Sequence, residues 1–480
     1  MADKKKLGSF IDSKAASYTE LSDKIWEFAE TRFSLAKSAD VQCDFLEKEG
    51  FSVTRGAAGM DDAIVAEFGS GLPVIGFLGE YDALPKLSQV SGAFEKTPLV
   101  PDAPGHGCGH NLLGIGDLAA ACAVKEFMIR EKIKGTVRYY GCPAEESGCG
   151  KTYMAREGLF DGVDAFITWH PMNELRVWSF STLANYQVCF EFKGRSAHAA
   201  AAPEHGRSAL DAAELMNIGV NYLREHIIQE ARVHYAYLDT GGQSPNVVQP
   251  YAKLLYFIRA PKSSQVAEIF ARVLKIAEGA ALMTETEMKM SWDASCAEFL
   301  PNDVIGRAMH KNMEELGAIE YNAEETAFAK RYVDALPPEA AAGAASGIKK
   351  CFRELGEDKI AELIKKPIIG DIFPYEVIDK PISGSSDVGD ASWIAPTAMF
   401  TTPTYPVGTV CHSWQYVACG KSDMAHKSML YAAKVLAMTA IDILTLPELL
   451  KQAKKEHKDT LGGEKYVCPI PKEVLPGQKQ

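Results

Sequence analysis

Apolar positions recur every three or four residues over 18–36, at Leu21, Ile25, Phe28 and Ala29, and again over 38–48, so the chain opens on two amphipathic helices. Two strand-like runs follow, 63–68 and 73–78, with a Gly-Ser-Gly turn between them. The Ala-rich run 112–127 predicts a buried helix, and 135–140 and 164–169 predict further strands. Strands alternating with helices imply an α/β layer architecture, here a mixed sheet with helices on both faces.

Beyond residue 183 the rhythm changes. Strands over 183–194, 232–237, 251–260 and 286–292, with helices over 207–227 and 264–282, give a β-α-β-β-α-β order. That is the ferredoxin-like unit, an antiparallel sheet with both helices on one face. We read residues 183–298 as an inserted α+β dimerisation or lid domain, and 1–182 with 299–480 as the catalytic domain. The open edge of the inserted sheet suits dimerisation. From 302 the helical pattern returns, with a surface insertion over 334–363, a short strand at 397–402 and a last helix over 424–444; the polar tail is expected to be loosely held.

Composition narrows the partners. At 480 residues two domains are expected. The 47% apolar and 24% charged fractions are those of a soluble globular chain. A net charge of -12 argues against nucleic-acid and membrane partners, which both need a basic face. No run is read as a signal peptide or a membrane span. Eleven scattered cysteines, an odd number, fit reduced thiols and a cytoplasmic protein.

The chemistry concentrates at strand ends. Gly105-His106-Gly107-Cys108-Gly109-His110-Asn111 sets a thiol and two imidazoles between glycines before the 112–127 helix, whose positive end should favour thiolate at Cys108. Asp82 follows the second strand, where functional groups of open α/β sheets gather. Glu145-Glu146 follows the third strand, so one carboxylate can bind a metal while its neighbour faces water. His170 ends the fourth strand, and His412 follows the last short one. In the insert, His198 can donate to a developing oxyanion, and Asn246 and Arg259 can hold polar groups of a substrate. The glycines at 148–150 before Lys151 do not make a phosphate loop, because Glu145 occupies the position of its first glycine. Residues 381–390 lack the Gly-X-Ser-X-Gly elbow of a serine hydrolase. Cys108, His110, Glu146, His170 and His412 are too many ligands for one tetrahedral ion with an open position, and suit two ions sharing a ligand.

Gly-Glu-Tyr-Asp-Ala-Leu-Pro at 79–85, His-Gly-Cys-Gly-His at 106–110, Pro-Ala-Glu-Glu at 143–146, and Ser-Ala-His at 196–198 followed by Gly-Arg-Ser-Ala-Leu-Asp at 206–211 resemble the aminoacylase and carboxypeptidase G type metallopeptidase family. The Cys-Gly-His form is similar to its indole-3-acetyl-amino-acid hydrolase subgroup, and the likeness covers nearly the whole chain. The resemblance implies a phosphorylase/hydrolase-like catalytic domain holding two divalent ions, plus a lid. It implies Cys108 as the bridge between them, His110, Glu146, His170 and His412 as the other ligands, Glu145 as general base and Asp82 as the group orienting a ligand. It gives His198 a place at a neighbouring subunit's site, and Asn246 and Arg259 substrate-holding places. The thiolate leans toward zinc, the nearest relatives toward manganese. The expected reaction is hydrolysis of an N-acyl amino acid, first a glutamate amide such as p-aminobenzoyl-glutamate, otherwise a dipeptide or another N-acyl amino acid, by a homodimer or with a homologous A-type subunit. A metal-free thiol hydrolase using Cys108 as nucleophile, and a non-catalytic partner chain with a structural metal, are the alternatives.

Overall fold

Val74–Glu80 is buried at every position, and Thr397–Pro403 likewise. Such runs mark strands covered on both faces, as parallel strands in α/β sheets are. In the computed structural model, which describes residues 4–352 and 355–477, the strands are β1 (Ser52–Arg55), β2 (Ile64–Ser70), β3 (Val74–Glu80), β4 (Gly135–Cys142), β5 (Ala165–Met172), β6 (Arg176–Val177), β7 (Ala184–Lys193), β8 (Arg232–Asp239), β9 (Tyr251–Ala260), β10 (Glu287–Cys296) and β11 (Thr397–Pro403). They form two sheets in two compact units.

The first unit takes the chain to Phe180, with Leu300–Lys380 and Ala391–Tyr466. Its sheet runs β1-β2-β4-β3-β5-β11-β6. The four central strands are mutually parallel, and β1, β2 and β6 pair antiparallel at the margins. All four parallel strands therefore present their carboxyl ends along one edge. Helices His110–Glu131 and Asp423–Thr445 share the main core with Phe77, Val137, Ile167 and Trp169.

Close approach of helix to sheet depends on Gly116, where a Cβ would fall within 2.9 Å of Trp169 ring carbons. The indole cannot retreat freely, since its Nε1–H donates to the Leu113 carbonyl at 3.0 Å. In an open helix Gly→Ala gains about 1 kcal/mol; here overpacking costs about 1–3 kcal/mol. Gly116→Ala is expected to lower stability in urea unfolding, and a gain would show that the indole yields.

The second unit comprises Ser181–Phe299, Pro381–Asp390 and residues 467–477. Its sheet, β10-β7-β9-β8, is antiparallel throughout. Alternation along β9 turns Leu254, Tyr256 and Ile258 toward helices Ala209–Leu223 and Ser263–Thr284. This is the ferredoxin-like order that the period-2 and period-3.6 patterns predict.

Elsewhere the structure departs from the pattern. The helix read over 18–36 runs Ala15–Phe28 and stops where Ala29 enters the left-handed region at φ 44°. Helix Lys5–Ser13, whose Leu7, Phe10 and Ile11 stand at helical spacing, and strand β1 are additions to the predicted elements. The tail is not loose after residue 444: Pro447–Leu461 is a helix, and its Glu456 carboxylate accepts the Asp303 and Val304 N–H groups at 2.7 and 2.9 Å. A carboxylate there satisfies two orphan donors of helix Asp303–Leu316 and complements its dipole. Helix Asp423–Thr445 does reach the length and hydropathy of a membrane span, where the sequence pattern predicts none; 72% of its apolar window is buried in the protein.

Candidate metal centre

The site grows from the carboxyl ends of β3, β4, β5 and β11. β3 ends in Glu80, and Asp82 follows, fully buried. A two-way backbone pairing of Leu84 with Gly105, at 3.0 and 2.9 Å, fastens the Gly105–His110 loop beside it. Gly109 has φ 79°, and a Cβ there would meet the Tyr405 hydroxyl and the Pro171 ring, so only glycine lets His110 open its helix so close to β5. After β4 the chain turns sharply at Ala144, φ 62°, and delivers Glu145 and Glu146. The His412 N–H donates to the Gly107 carbonyl at 2.8 Å, which brings the last candidate ligand to the same loop.

The five predicted ligands come together. Ligand atoms of Cys108, His110 and His170 lie within 4.8 Å of one another, and so do those of Cys108, Glu146 and His412. Cys108 belongs to both groups. Its Sγ is 3.5 Å from His170 Nε2, and His412 Nε2 is 3.4 Å from Glu146 Oε2. Asp82 accepts from His110 Nδ1–H at 3.0 Å and, through its other oxygen, from the Glu146 N–H at 3.0 Å. It therefore sets the His110 tautomer and aims Nε2 at the site, the usual partner arrangement of a ligating histidine. His170 is ordered likewise, with Nδ1–H donating to the Pro171 carbonyl at 3.0 Å.

Glu145 and Glu146 diverge: Glu146 joins Cys108 and His412, while Glu145 groups with Glu80 and His110. Glu80 was not singled out from the sequence, although residues two apart near a strand end share a face with Asp82. Lys151 was missed too; it is buried and pairs with Glu80 at 2.6 Å. Cys411 sits beside Cys108 and 3.6 Å from Met172 Sδ. His106 turns away from the ligands and donates Nε2–H to the Ile25 carbonyl at 3.0 Å, a tether between loop and helix.

Burial and charge set the protonation. Burial and the neighbouring His110 push His170 down to about 4, so its ring is neutral and able to ligate. Burial opposes charging His110, but its bond to Asp82 and the charges of Glu80 and Asp82 hold it well above the usual range. Burial, with Asp82 and Glu80 nearby, lifts Glu146 to about 7. Contrary to expectation, the thiol rather than the thiolate is favoured at Cys108, raised by its bond with Cys411, by burial and by Glu146; these outweigh the helix end.

His110 Nε2 and Glu146 Oε1 are buried without a hydrogen-bond partner. Such atoms cost about 1–3 kcal/mol each, and with a thiol, imidazoles and carboxylates converging they fit divalent ions. Metal uptake must displace the protons of Cys108, Glu146 and His110 Nε2. Affinity is therefore expected to weaken as pH falls through about 7, by up to about tenfold per pH unit for each proton released; chelator-competition titrations between about pH 6 and 8 check this, and a flat profile would contradict these protonation states.

The sequence profile of peptidase family M20/M25/M40 matches residues 76–413, a span that contains all these ligands. The chain belongs to peptidase family M20/M25/M40. It is 46% identical over 466 residues, 97% of each chain, to the B-type chain of the p-aminobenzoyl-glutamate hydrolase of Escherichia coli K12. It is 27% identical over 479 residues to the Xaa-Arg dipeptidase of Mus musculus, covering 97% of this chain and 94% of that one. Among solved structures it resembles the YXEP protein of Bacillus subtilis, a dinuclear metal binding peptidase from the M20 family, with a TM-score of 0.54 and 16% identity over 90% and 99% of the two chains. As a member of the M20/M25/M40 family the chain is an amidohydrolase of the metallopeptidase type, acting on carbon–nitrogen amide bonds.

The remaining predicted residues belong to the second unit. His198 is exposed, and its Nδ1 accepts the N–H groups of Ala200 and Ala201 at 3.2 Å each, which leaves Nε2–H as an outward donor. Ala199 N–H bonds the Asn246 carbonyl at 2.9 Å, so these two loops are neighbours. Arg259 stacks on Phe257 at 3.9 Å and donates to the Ser383 carbonyl at 3.2 Å.

Proposed function

We propose that this chain hydrolyses N-acyl amino acids, with p-aminobenzoyl-glutamate as its substrate, using two divalent ions, manganese or zinc. The observation that carries the two-ion reading is that Cys108 belongs to both ligand groups. In this reading Cys108 would be a ligand common to both ions, His110, Glu146, His170 and His412 would complete the two sites, and Asp82 orients His110. Two such ions, when bound, polarise an amide carbonyl and lower the pKa of water. Glu145 takes a proton from the attacking water and returns it to the leaving amine as the C–N bond breaks. At a neighbouring subunit's site His198 Nε2–H would donate to the oxyanion of the tetrahedral intermediate, and Asn246 and Arg259 would hold the amino-acid portion, Arg259 through its carboxylate.

The substrate rests on the 46% identity over nearly the whole of both chains; the dipeptidase likeness makes dipeptides the runner-up. A homodimer is supported by the open outer edge of β8 and by exposed Tyr222, Ile218 and Leu238 in the same unit. The relative is by name the B-type chain of its hydrolase, which supports a homologous A-type partner as well. The scattered, odd-numbered cysteines support a cytoplasmic setting. The test is glutamate release from p-aminobenzoyl-glutamate by the purified chain, before and after chelation and with manganese or zinc restored. Metal-dependent release is expected. A metal-loaded chain that leaves this amide intact but cleaves dipeptides would overturn the substrate, and full turnover after complete metal removal would overturn the mechanism.

A further inference from the structure

Glu80 ends β3 with its carboxylate shared between two neighbours. Oε1 accepts from Lys151 Nζ at 2.6 Å, and neither side chain is more than 3% exposed. Oε2 lies 3.2 Å from His110 Nε2, yet that ring nitrogen makes no hydrogen bond. The oxygen therefore stands beside the axis of the ring nitrogen, not on it. Two donors to one ion are related in that way: with bonds of about 2.0–2.3 Å, neighbouring ligands on a tetrahedral or octahedral ion are about 3–3.7 Å apart. The Cys108–His170 and Glu146–His412 gaps, 3.5 and 3.4 Å, have the same spacing. Glu80, His110 and Glu145 also offer ligand atoms within 4.8 Å of one another.

Packing gives no reason for the pair. A Lys–Glu pair so completely buried generally stabilises a fold no better than apolar residues of similar size. Lys151 lies in helix Gly150–Arg156, directly after the Glu145-Glu146 turn, so its ion pair ties that turn to the end of β3.

The geometry points to Glu80 as a sixth metal ligand, which closes the ion at His110 Nε2 on its buried side. Lys151 is the positioning residue: it holds the other carboxylate oxygen and offsets its charge. The inference rests on the two-ion reading above and adds to it a ligand outside the five.

Two measurements test it. Manganese added to crystals of the intact chain and located by its anomalous scattering is expected within about 2.4 Å of a Glu80 oxygen and of His110. Glu80 oxygens beyond about 3 Å from every ion would overturn the proposal. In equilibrium dialysis against manganese, Glu80→Gln, which keeps the shape and an acceptor for Lys151, is expected to weaken one of two ions by at least about tenfold and spare the other. Glu80→Asp should recover part of the loss. Lys151→Gln should weaken the same ion less, with kcat falling while KM holds. If the parent takes up two ions and Glu80→Gln matches it, Glu80 is no ligand; if the parent takes up fewer than two, the two-ion reading fails first. Should Glu80→Gln not fold, the diffraction measurement decides alone.

Discussion

Glu145→Gln is expected to lower kcat by at least about a hundredfold while the chain still takes up its full complement of ions, since loss of a general base costs about 10²–10⁴. The amide is isosteric, so packing around the turn after β4 is kept and only the proton acceptor is lost. The residue stands at a left-handed turn, and its carboxylate groups with Glu80 and His110 instead of joining Glu146, Cys108 and His412. Turnover within about tenfold of the parent would place the base elsewhere. Metal analysis of the same sample separates this outcome from indirect metal loss.

Cys108→Ser is the second large effect. Cys108 offers its sulfur to two ligand groups, one with His110 and His170 and one with Glu146 and His412, so its loss should reach both ions. Metal content is expected to fall below two per chain, with affinity down by at least about a hundredfold, the upper range already seen for mere supporting residues of a ligand. Turnover should fall with it. The metal-free thiol hydrolase predicts another pattern: activity lost with no change in metal content, and no sensitivity to chelators in the parent. The structure disfavours that alternative, because the bond with Cys411, burial and neighbouring carboxylates oppose the free thiolate at Cys108 that such chemistry needs.

Much of the first site was legible because its signals are local. A strand that is apolar throughout announces a central parallel position, and a Cys, His, Asp or Glu just beyond such a strand stands where α/β folds collect chemistry. Asp82, Glu145, Glu146 and His170 were reached in this way, and Cys108 and His110 through glycines beside a helix start. The helix Pro447–Leu461 was not, since a run as charged as Lys-Lys-Glu-His-Lys-Asp carries little apolar periodicity, and its Glu456, Lys454 and Ala453 carbonyl bond residues far away in the chain. Glu80 and Lys151 were passed over for a related reason. Their pairing spans 71 positions in the chain, and a lysine after glycines suggests a solvated or phosphate-facing group until the fold buries it against a carboxylate.

The sequence alone determined the alternation of strands and helices in both units and the residue types available at most strand ends, because side-chain period and turn chemistry are properties of neighbouring residues. Tertiary structure decided which of those groups meet: that Cys108 lies in two ligand groups, that His106 serves as a tether, that Glu145 and Glu146 part company, and that Cys108 prefers its proton. Those outcomes depend on distances of a few ångströms between segments far apart in the chain, and on burial, which multiplies every charge interaction once water is excluded.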